Sequence, residues 1–283
     1  MSFIEGKTGF ETRLTPQQQS ALNELKARME KTEHWPALES HPDGDRWILR
    51  FMRATMKDKH GARIFQVDQA EARLIRTLEW RKKFKADEVM HGIMAGDVKS
   101  VTPVGADVSE RQMPKIYVAD DATGEVYRFD RFSKCVSYMN VDALTLDQWS
   151  ECVVLTMESC LDMLRVQSKK QGKEISTYTT VVDSSGVSIT GIVARRKFVQ
   201  FMSDIGAEHY PESLGKTFLV NCPWYFDKIW NIAKAFIDKD TLSKLSVNSG
   251  LPMEEMLKLI PKNILLKEFG GDNEVVLPTP DFS

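Results

Sequence analysis

The spacing of apolar residues divides the chain into two regions. In the first hundred positions they recur every three to four residues, for example after Thr15-Pro16 and again over residues 67–84, and this is the period of an amphipathic helix. Threonine followed by proline is typical of a helix start. Residues 57–63 interrupt the pattern with a polar run that predicts a surface loop. We therefore predict an all-helical N-terminal subdomain over residues 1–100.

Beyond residue 112, runs of β-branched residues alternate with longer amphipathic stretches. Thr145-Leu-Asp-Gln148 has the spacing of a capping box and predicts the start of a long helix. Alternation of strands and helices is typical of α/β folds with a largely parallel sheet and right-handed crossovers. We therefore predict a second domain over residues 101–283, with a mostly parallel sheet flanked by helices. Its strands are predicted at residues 115–119, 125–132, 178–183, 217–221 and 245–247.

Composition and charge narrow the class of protein. The chain has 283 residues, 42% of them hydrophobic, so it can bury a sizeable core. A net charge of −2 argues against a nucleic-acid partner. The four cysteines lack the spacing of a metal site, and a reducing cytoplasm is the simplest setting. No apolar run approaches the roughly 18 residues that span a bilayer. We expect a cytoplasmic monomer whose membrane contact is peripheral.

Candidate enzyme motifs lack the context that their chemistry needs. Gly215-Lys-Thr217 suggests a phosphate loop, but Tyr210 stands where the first glycine of that motif belongs, and a strand follows instead of a helix. Of the five histidines only His209 lies near the predicted sheet. We therefore expect no catalytic residues, no metal site and no enzyme activity.

Three motifs carry a family resemblance: Arg76-Thr-Leu-Glu-Trp-Arg-Lys-Lys-Phe84, Tyr210-Pro-Glu-Ser-Leu-Gly-Lys-Thr-Phe-Leu-Val-Asn-Cys-Pro-Trp224 and Leu259-Ile-Pro-Lys-Asn-Ile-Leu-Leu-Lys-Glu-Phe-Gly-Gly271. Together they resemble the CRAL-TRIO lipid-binding family, and in particular its phosphatidylinositol-transferring members. The resemblance covers about residues 45–271. It implies a gated, apolar lipid pocket inside the α/β domain, with phospholipid as a bound ligand and no other cofactor.

The resemblance also implies a headgroup site. The family's hydroxyl, glutamate and lysine positions match Thr180, Glu212 and Lys244, and Tyr178 stands where the family usually has serine. A phosphodiester suits a cation and hydroxyl donors, and inositol hydroxyls suit a carboxylate acceptor. Taken singly, each of these residues is more typical of a strand or a solvated surface.

A pocket for choline lipids is a second expectation from the resemblance. Tyr117 and Tyr127 match two of its tyrosines, and Met157 stands at the helix position. Aromatic rings attract a quaternary ammonium group, so the methionine puts choline-lipid exchange in doubt. A methionine-lined cavity could instead admit a sterol or an isoprenoid.

A gate is expected in the apolar segment after the Tyr-Pro-Glu turn. The helical pattern covers residues 224–236, and tryptophan and tyrosine suit a bilayer interface. An ordinary core helix would show the same pattern. The proposed gate residues are Trp224, Phe226, Ile229, Trp230 and Phe236.

The expected function is exchange of phosphatidylinositol between membranes. By resemblance, the protein would present this lipid to lipid kinases and visit Golgi or endosomal membranes. One alternative is a carrier of another hydrophobe, such as phosphatidylcholine, a sterol, tocopherol or a retinoid. Another is a scaffold that binds proteins without exchanging lipid. The sequence leaves the second ligand, the target membrane and the protein partners open.

Overall fold

The chain divides into two compact units in a computed structural model that describes residues 10–59, 62–234 and 239–282. One unit comprises residues up to Asp87 together with Glu208–Glu212, and the other comprises Glu88–Ala207 and the residues from Ser213 onward. The first division falls at residue 87, whereas the sequence pattern placed the domain boundary at residue 100. The sequence pattern does not indicate that the five residues Glu208–Glu212 belong to the first unit.

The first unit is built mainly from helices around one apolar core. Thr15 caps the first helix and Pro16 occupies its first turn, as predicted, and Gln18 completes a capping box with Thr15. Leu25, Leu49 and Leu74, from three different helices, are fully buried in this core. The helices are α1 (Pro16–Met29), α2 (Trp35–Glu39), α3 (Asp45–Ala54) and α4 (Val67–Lys83).

The polar run predicted as a loop forms a short hairpin instead. Strand β1 (Lys57–Lys59) pairs antiparallel with β2 (Ala62–Ile64). The loop prediction was wrong because backbone pairing stabilises this hairpin without apolar side chains on alternate positions, so the sequence shows no period-two pattern.

The second unit contains a five-stranded sheet whose spatial order is the chain order. The first two strands are antiparallel and all later pairs are parallel, which confirms the predicted mostly parallel α/β fold. The fourth strand begins three residues earlier than predicted, because Leu214 already pairs with Tyr178 before an irregularity in the register. The strands are β3 (Lys115–Ala119), β4 (Val126–Asp130), β5 (Tyr178–Asp183), β6 (Leu214–Val220) and β7 (Leu245–Val247).

Helices connect the parallel strands, and the longest of the described helices starts where the sequence predicted. Thr145 Oγ1 accepts from the Gln148 amide at 3.2 Å, and Gln148 Oε1 accepts from the Thr145 amide at 2.9 Å. The remaining helices are α5 (Ala86–Met94), α6 (Ala106–Gln112), α7 (Phe132–Tyr138), α8 (Leu146–Gln171), α9 (Ile189–Ala194), α10 (Arg196–His209), α11 (Phe226–Ala233), α12 (Lys239–Lys244) and α13 (Met253–Leu257).

One face of the sheet is apolar and covered by the C-terminal part of the chain. Phe129, Val181 and Phe218 are aligned across β4, β5 and β6 and are completely buried. They share a core with Met256 and Leu265, among others. The opposite face therefore carries the remaining alternate side chains of the same strands. Among the described residues, no helix is both long and apolar enough to cross a bilayer.

Candidate functional site

A row of polar side chains crosses the face of the sheet opposite the C-terminal segment. The strand pairings align Tyr117 with Arg128, Arg128 with Thr180, Thr180 with Thr217, and Thr217 with Leu245. Residues aligned across neighbouring strands point to the same face, and adjacent strands lie about 4.8 Å apart. Four of the five positions in this row are therefore polar, in the middle of a sheet.

Two hydroxyls in the row are buried and have no hydrogen-bond partner among the described residues. Thr180 is 4% exposed and Thr217 is 5% exposed, and the Oγ1 atom of each is inaccessible to solvent. Buried polar groups in folded proteins are normally hydrogen-bonded, so two neighbouring hydroxyls without hydrogen-bond partners require an explanation. Thr180 was a predicted headgroup residue, whereas Thr217 was not. Thr217 is identified by the parallel register of β5 and β6, which places it beside Thr180. The pattern of a single strand does not contain this register.

Lys244 lies at the end of α12, directly before the strand residue that pairs with Thr217. It is only 9% exposed, which is unusual for lysine. A lysine ammonium group and hydroxyl donors together suit a phosphate group. The structure thus brings Thr180 and Lys244 onto neighbouring parts of the same unit.

Tyr178 lies on the same face as Thr180, two residues earlier on β5, and is 4% exposed. Its ring packs edge-on against that of Tyr117, with centroids 6.2 Å apart. Burial raises the pKa of Tyr178 to about 12, and the nearby Arg128 guanidinium partly opposes this rise. Tyr178 is therefore a neutral hydroxyl at physiological pH, able to donate a hydrogen bond.

The three residues predicted for a choline-lipid pocket do not form one cluster. Tyr127 pairs with Val118, so its side chain lies on the face opposite Tyr117, and its hydroxyl donates to the Leu259 carbonyl at 2.9 Å. Met157 is buried on α8. The sequence assigned Tyr127 to the pocket within a shift of one residue, and such a shift moves a strand side chain to the other face.

Glu212 belongs to the helical unit. The Arg50 guanidinium donates to the Glu212 backbone carbonyl at 2.9 Å, and Arg53 Nε lies 3.8 Å from Glu212 Oε2. Glu212 has a φ of +56°, which is uncommon for a residue with a side chain. Its carboxylate is thus held beside buried Arg53.

The predicted gate helix begins two residues later than expected, because Trp224 and Tyr225 form a turn before its first residue. Trp224 is 87% exposed, whereas Phe226 is buried with Val187 and Cys222. Trp230 stacks on Phe226, with ring centroids 6.2 Å apart. Ile229 lies on α11, and Phe236 lies outside the described residues.

The arrangement offers hydroxyl and cationic groups without a metal centre: among the described residues, no three side chains of histidine, cysteine, aspartate or glutamate form a possible metal site. Hydroxyl donors and a cation together suit a polar or anionic group.

Comparisons with known proteins agree with this fold. The Sec14 cytosolic factor of Schizosaccharomyces pombe is 25% identical over 92% of this chain and 84% of that protein. The SEC14 cytosolic factor of Candida glabrata is 27% identical over 91% of this chain and 79% of its own length. An Arabidopsis thaliana protein named phosphatidylinositol/phosphatidylcholine transfer protein SFH12 is 26% identical over 79% of this chain, but over only 39% of its own length.

A solved structure and a family model cover the same region. The crystal structure of Sfh5 has a TM-score of 0.63 at 18% identity, over 92% of this chain and 88% of that one, and shows that the two folds are alike. The family model of the CRAL/TRIO domain matches residues 128–271, which include strands β5 to β7 and most of β4. The chain therefore belongs to the CRAL/TRIO domain family.

Proposed function

We propose that this protein transfers phosphatidylinositol between membranes. The observation that carries the proposal is the pair of buried, unpartnered hydroxyls at Thr180 and Thr217, on the strand row that Lys244 immediately precedes. These groups would donate to the phosphodiester of the lipid. Glu212 is the predicted acceptor for inositol hydroxyls, and this role rests on the family resemblance. The name of the SFH12 relative supports the same lipid class.

A carrier is the appropriate device because phospholipids do not cross water unaided. Exposure of about thirty acyl methylenes to water costs roughly 25 kcal/mol, at about 0.8 kcal/mol each. The protein must therefore cover the chains in transit and open at a membrane. We assign the opening to α11 and the exposed Trp224 before it, and presentation of the lipid to a kinase would follow from the same opening.

The test is vesicle-to-vesicle transfer of labelled phosphatidylinositol, phosphatidylcholine and tocopherol by wild type and by Lys244→Ala. Loss of one charge-assisted contact removes about 1.5–3 kcal/mol of binding, so we expect phosphatidylinositol transfer to fall at least about tenfold in the variant. Lys262→Ala is the matched control, since Lys262 is exposed and pairs with Asp272 at 3.0 Å.

Two results would contradict the proposal. Absence of phosphatidylinositol transfer by well-folded wild type would leave a carrier of another hydrophobe, if tocopherol moves, or a protein-binding scaffold, if no lipid does. Equal transfer by Lys244→Ala and Lys262→Ala would remove Lys244 from the headgroup site.

A further inference from the structure

Charged and phenolic side chains gather at one end of the polar face, beside the hydroxyl pair. They come from three adjacent strands: Lys115 and Tyr117 from β3, Arg128 and Asp130 from β4, and Tyr178 from β5. We call these five residues the Arg128 cluster. The register pairs Lys115 with Asp130 and Tyr117 with Arg128, so all of them share the face that carries Thr180.

The cationic groups of the Arg128 cluster exceed its single carboxylate. Arg128 Nε lies 2.7 Å from Asp130 Oδ2, although the approach lacks hydrogen-bond geometry. The other Asp130 oxygen accepts from the Phe132 amide at 2.9 Å. Lys115 donates to the Met113 carbonyl at 3.3 Å, and exposed Glu110 is a further, weaker electrostatic neighbour. The cluster thus contains two cations, Lys115 and Arg128, and one carboxylate, Asp130, which already contacts Arg128 and the Phe132 amide.

Lys115 and Arg128 are partly buried, and an excess of positive charge at such positions costs free energy unless an anion compensates it. The pKa of Lys115 reflects this cost, since burial first and Arg128 second lower it to about 8. Lys115 nevertheless remains mostly protonated at neutral pH. A bound anion would relieve the repulsion between Lys115 and Arg128.

The Tyr117 hydroxyl indicates where such an anion would lie. It is inaccessible to solvent and has no hydrogen-bond partner among the described residues. Burial raises the pKa of Tyr117 well above its usual range, so the hydroxyl keeps its proton and remains a donor. The row position of Tyr117 beside Arg128, and its edge-on contact with Tyr178, bring two phenols to the same guanidinium group.

We propose that the Arg128 cluster binds the anionic group of an acidic lipid, a carboxylate or a phosphate, with Arg128 and Lys115 supplying charge and Tyr117 and Tyr178 donating hydrogen bonds. A choline headgroup is excluded from this position because its quaternary ammonium would face two cations with only Asp130 to attract it. The inference concerns a second ligand. It shares Tyr178 with the predicted headgroup site but uses none of Thr180, Thr217, Glu212 and Lys244, the residues to which the proposed function assigns the phosphatidylinositol headgroup.

The experiment measures binding of matched lipids that differ in charge. Oleate and oleyl alcohol share one chain, and phosphatidic acid and phosphatidylcholine share two. We expect oleate or phosphatidic acid to bind at least about tenfold more tightly than its partner, since hydrogen bonds to charged groups contribute about 1.5–3 kcal/mol, which is about 10- to 150-fold. Preference within the first pair alone identifies a carboxylate, and preference within the second identifies a phosphate.

Variants then assign the preference to the cluster. Tyr117→Phe removes one hydroxyl and keeps the ring, and Arg128→Gln combined with Asp130→Asn removes both charges together, so that no lone carboxylate is left buried. Tyr127→Phe is the control, because Tyr127 lies on the opposite face of the same hairpin. We expect the anion preference to shrink several-fold in Tyr117→Phe, to vanish in the double variant and to persist in Tyr127→Phe.

Equal affinity of wild type for the charged and neutral lipids of both pairs would overturn the proposal without any variant. An anion preference that is unchanged in Tyr117→Phe and in the double variant would also overturn it, by locating the anion elsewhere. Phosphatidylinositol transfer by the same preparations is scored separately. A failure of that transfer with the anion preference intact therefore counts only against the proposed function.

Discussion

Gly191 shows how a single residue sets the distance between two helices. It lies on α9, and a Cβ atom at this position would collide with the backbone carbonyl of Ser137 at the end of α7. Backbone atoms cannot rotate away as a flexible side chain can. The contact therefore requires glycine for its lack of a side chain.

We predict that Gly191→Ala destabilises the protein by about 1–3 kcal/mol, the usual cost of forcing extra volume into a packed site. Thermal unfolding monitored by circular dichroism measures the change. Gly206→Ala is the matched control, because Gly206 is also helical and a Cβ there meets no atom within 4 Å. Alanine is the better helix former by about 1 kcal/mol, so the control should melt at or above the wild-type temperature. Equal melting of the two variants would contradict the proposed close approach.

At the residue scale the sequence predicted what local spacing determines. The capped helix start at Thr15 and the capping box at Thr145 depend on residues within three positions of each other and are present as predicted. The face on which a strand residue lies depends on register, so Tyr127 was grouped with Tyr117 although they point to opposite faces. Arg128 was missed for a related reason: a charged strand residue is usually solvated, and only its neighbours across the sheet show that it belongs to a cluster.

At the scale of elements, the segment Glu208–Glu212 is held to the helices of the first unit by charge and by stacking. Arg76 Nε donates to Glu208 Oε1 at 2.8 Å, and Arg73 Nε donates to the Glu208 carbonyl at 3.0 Å. The His209 ring stacks on Trp80 with centroids 4.3 Å apart. Burial is the main cause that lowers the pKa of His209 to about 4, and Arg73, Arg76 and Arg81 add to it while Glu208 opposes them.

We predict that this histidine makes stability depend on pH between about 6.5 and 4. The folded state holds His209 neutral, whereas an unfolded chain protonates it below its ordinary pKa of about 6.5. Stability from this group is therefore complete above pH 6.5 and is lost as the pH falls toward 4. Melting temperatures at pH 7, 6 and 5 for wild type and His209→Gln measure the effect.

The glutamine variant should lose less stability over that interval than wild type, because it has no proton to gain. Carboxylates titrate equally in both proteins, so the difference between the two curves isolates the histidine. Parallel curves would contradict the assignment.

The elements with a strong periodic signal were predicted well. The bounds of β3, β5 and β7 match the predicted strands residue for residue. The hairpin of β1 and β2 was missed because its strands are three residues long and its first strand is entirely polar. A sequence shows apolar periodicity where one face of an element is buried. The hairpin of β1 and β2 is stabilised by backbone pairing, so its sequence shows little of this periodicity.

At the scale of the whole molecule, membrane contact would depend on few exposed apolar groups. Trp224 is the most exposed of the large apolar side chains in the described part of the chain, and it precedes α11. We predict that Trp224→Ala weakens partitioning to anionic vesicles by about tenfold, since burial of a large apolar side chain is worth about 1.5–3 kcal/mol.

Vesicle co-sedimentation measures this partitioning. Val276→Ala is the control, because Val276 is 77% exposed on the C-terminal segment. Equal loss in both variants would indicate general apolar adhesion and would contradict a specific role of Trp224.

The α/β class of the molecule followed from the order of its strands and helices, because alternation along the chain implies parallel pairing. The membership of Glu208–Glu212 in the first unit did not follow. These residues reach Arg73 and Trp80 across more than a hundred positions, and spacing along the chain carries no information about contacts at that separation.

The divided composition of the helical unit has a consequence for biosynthesis. Residues up to Asp87 leave the ribosome about 120 positions before Glu208, and at roughly 5–20 residues per second this is a delay of about 6–24 seconds. During that interval the nascent helices lack the stacking partner of Trp80 and the carboxylate that pairs with Arg73 and Arg76. The N-terminal helices therefore reach their final stability only when most of the lipid-binding domain has been translated, so maturation of the first unit is timed by synthesis of the second.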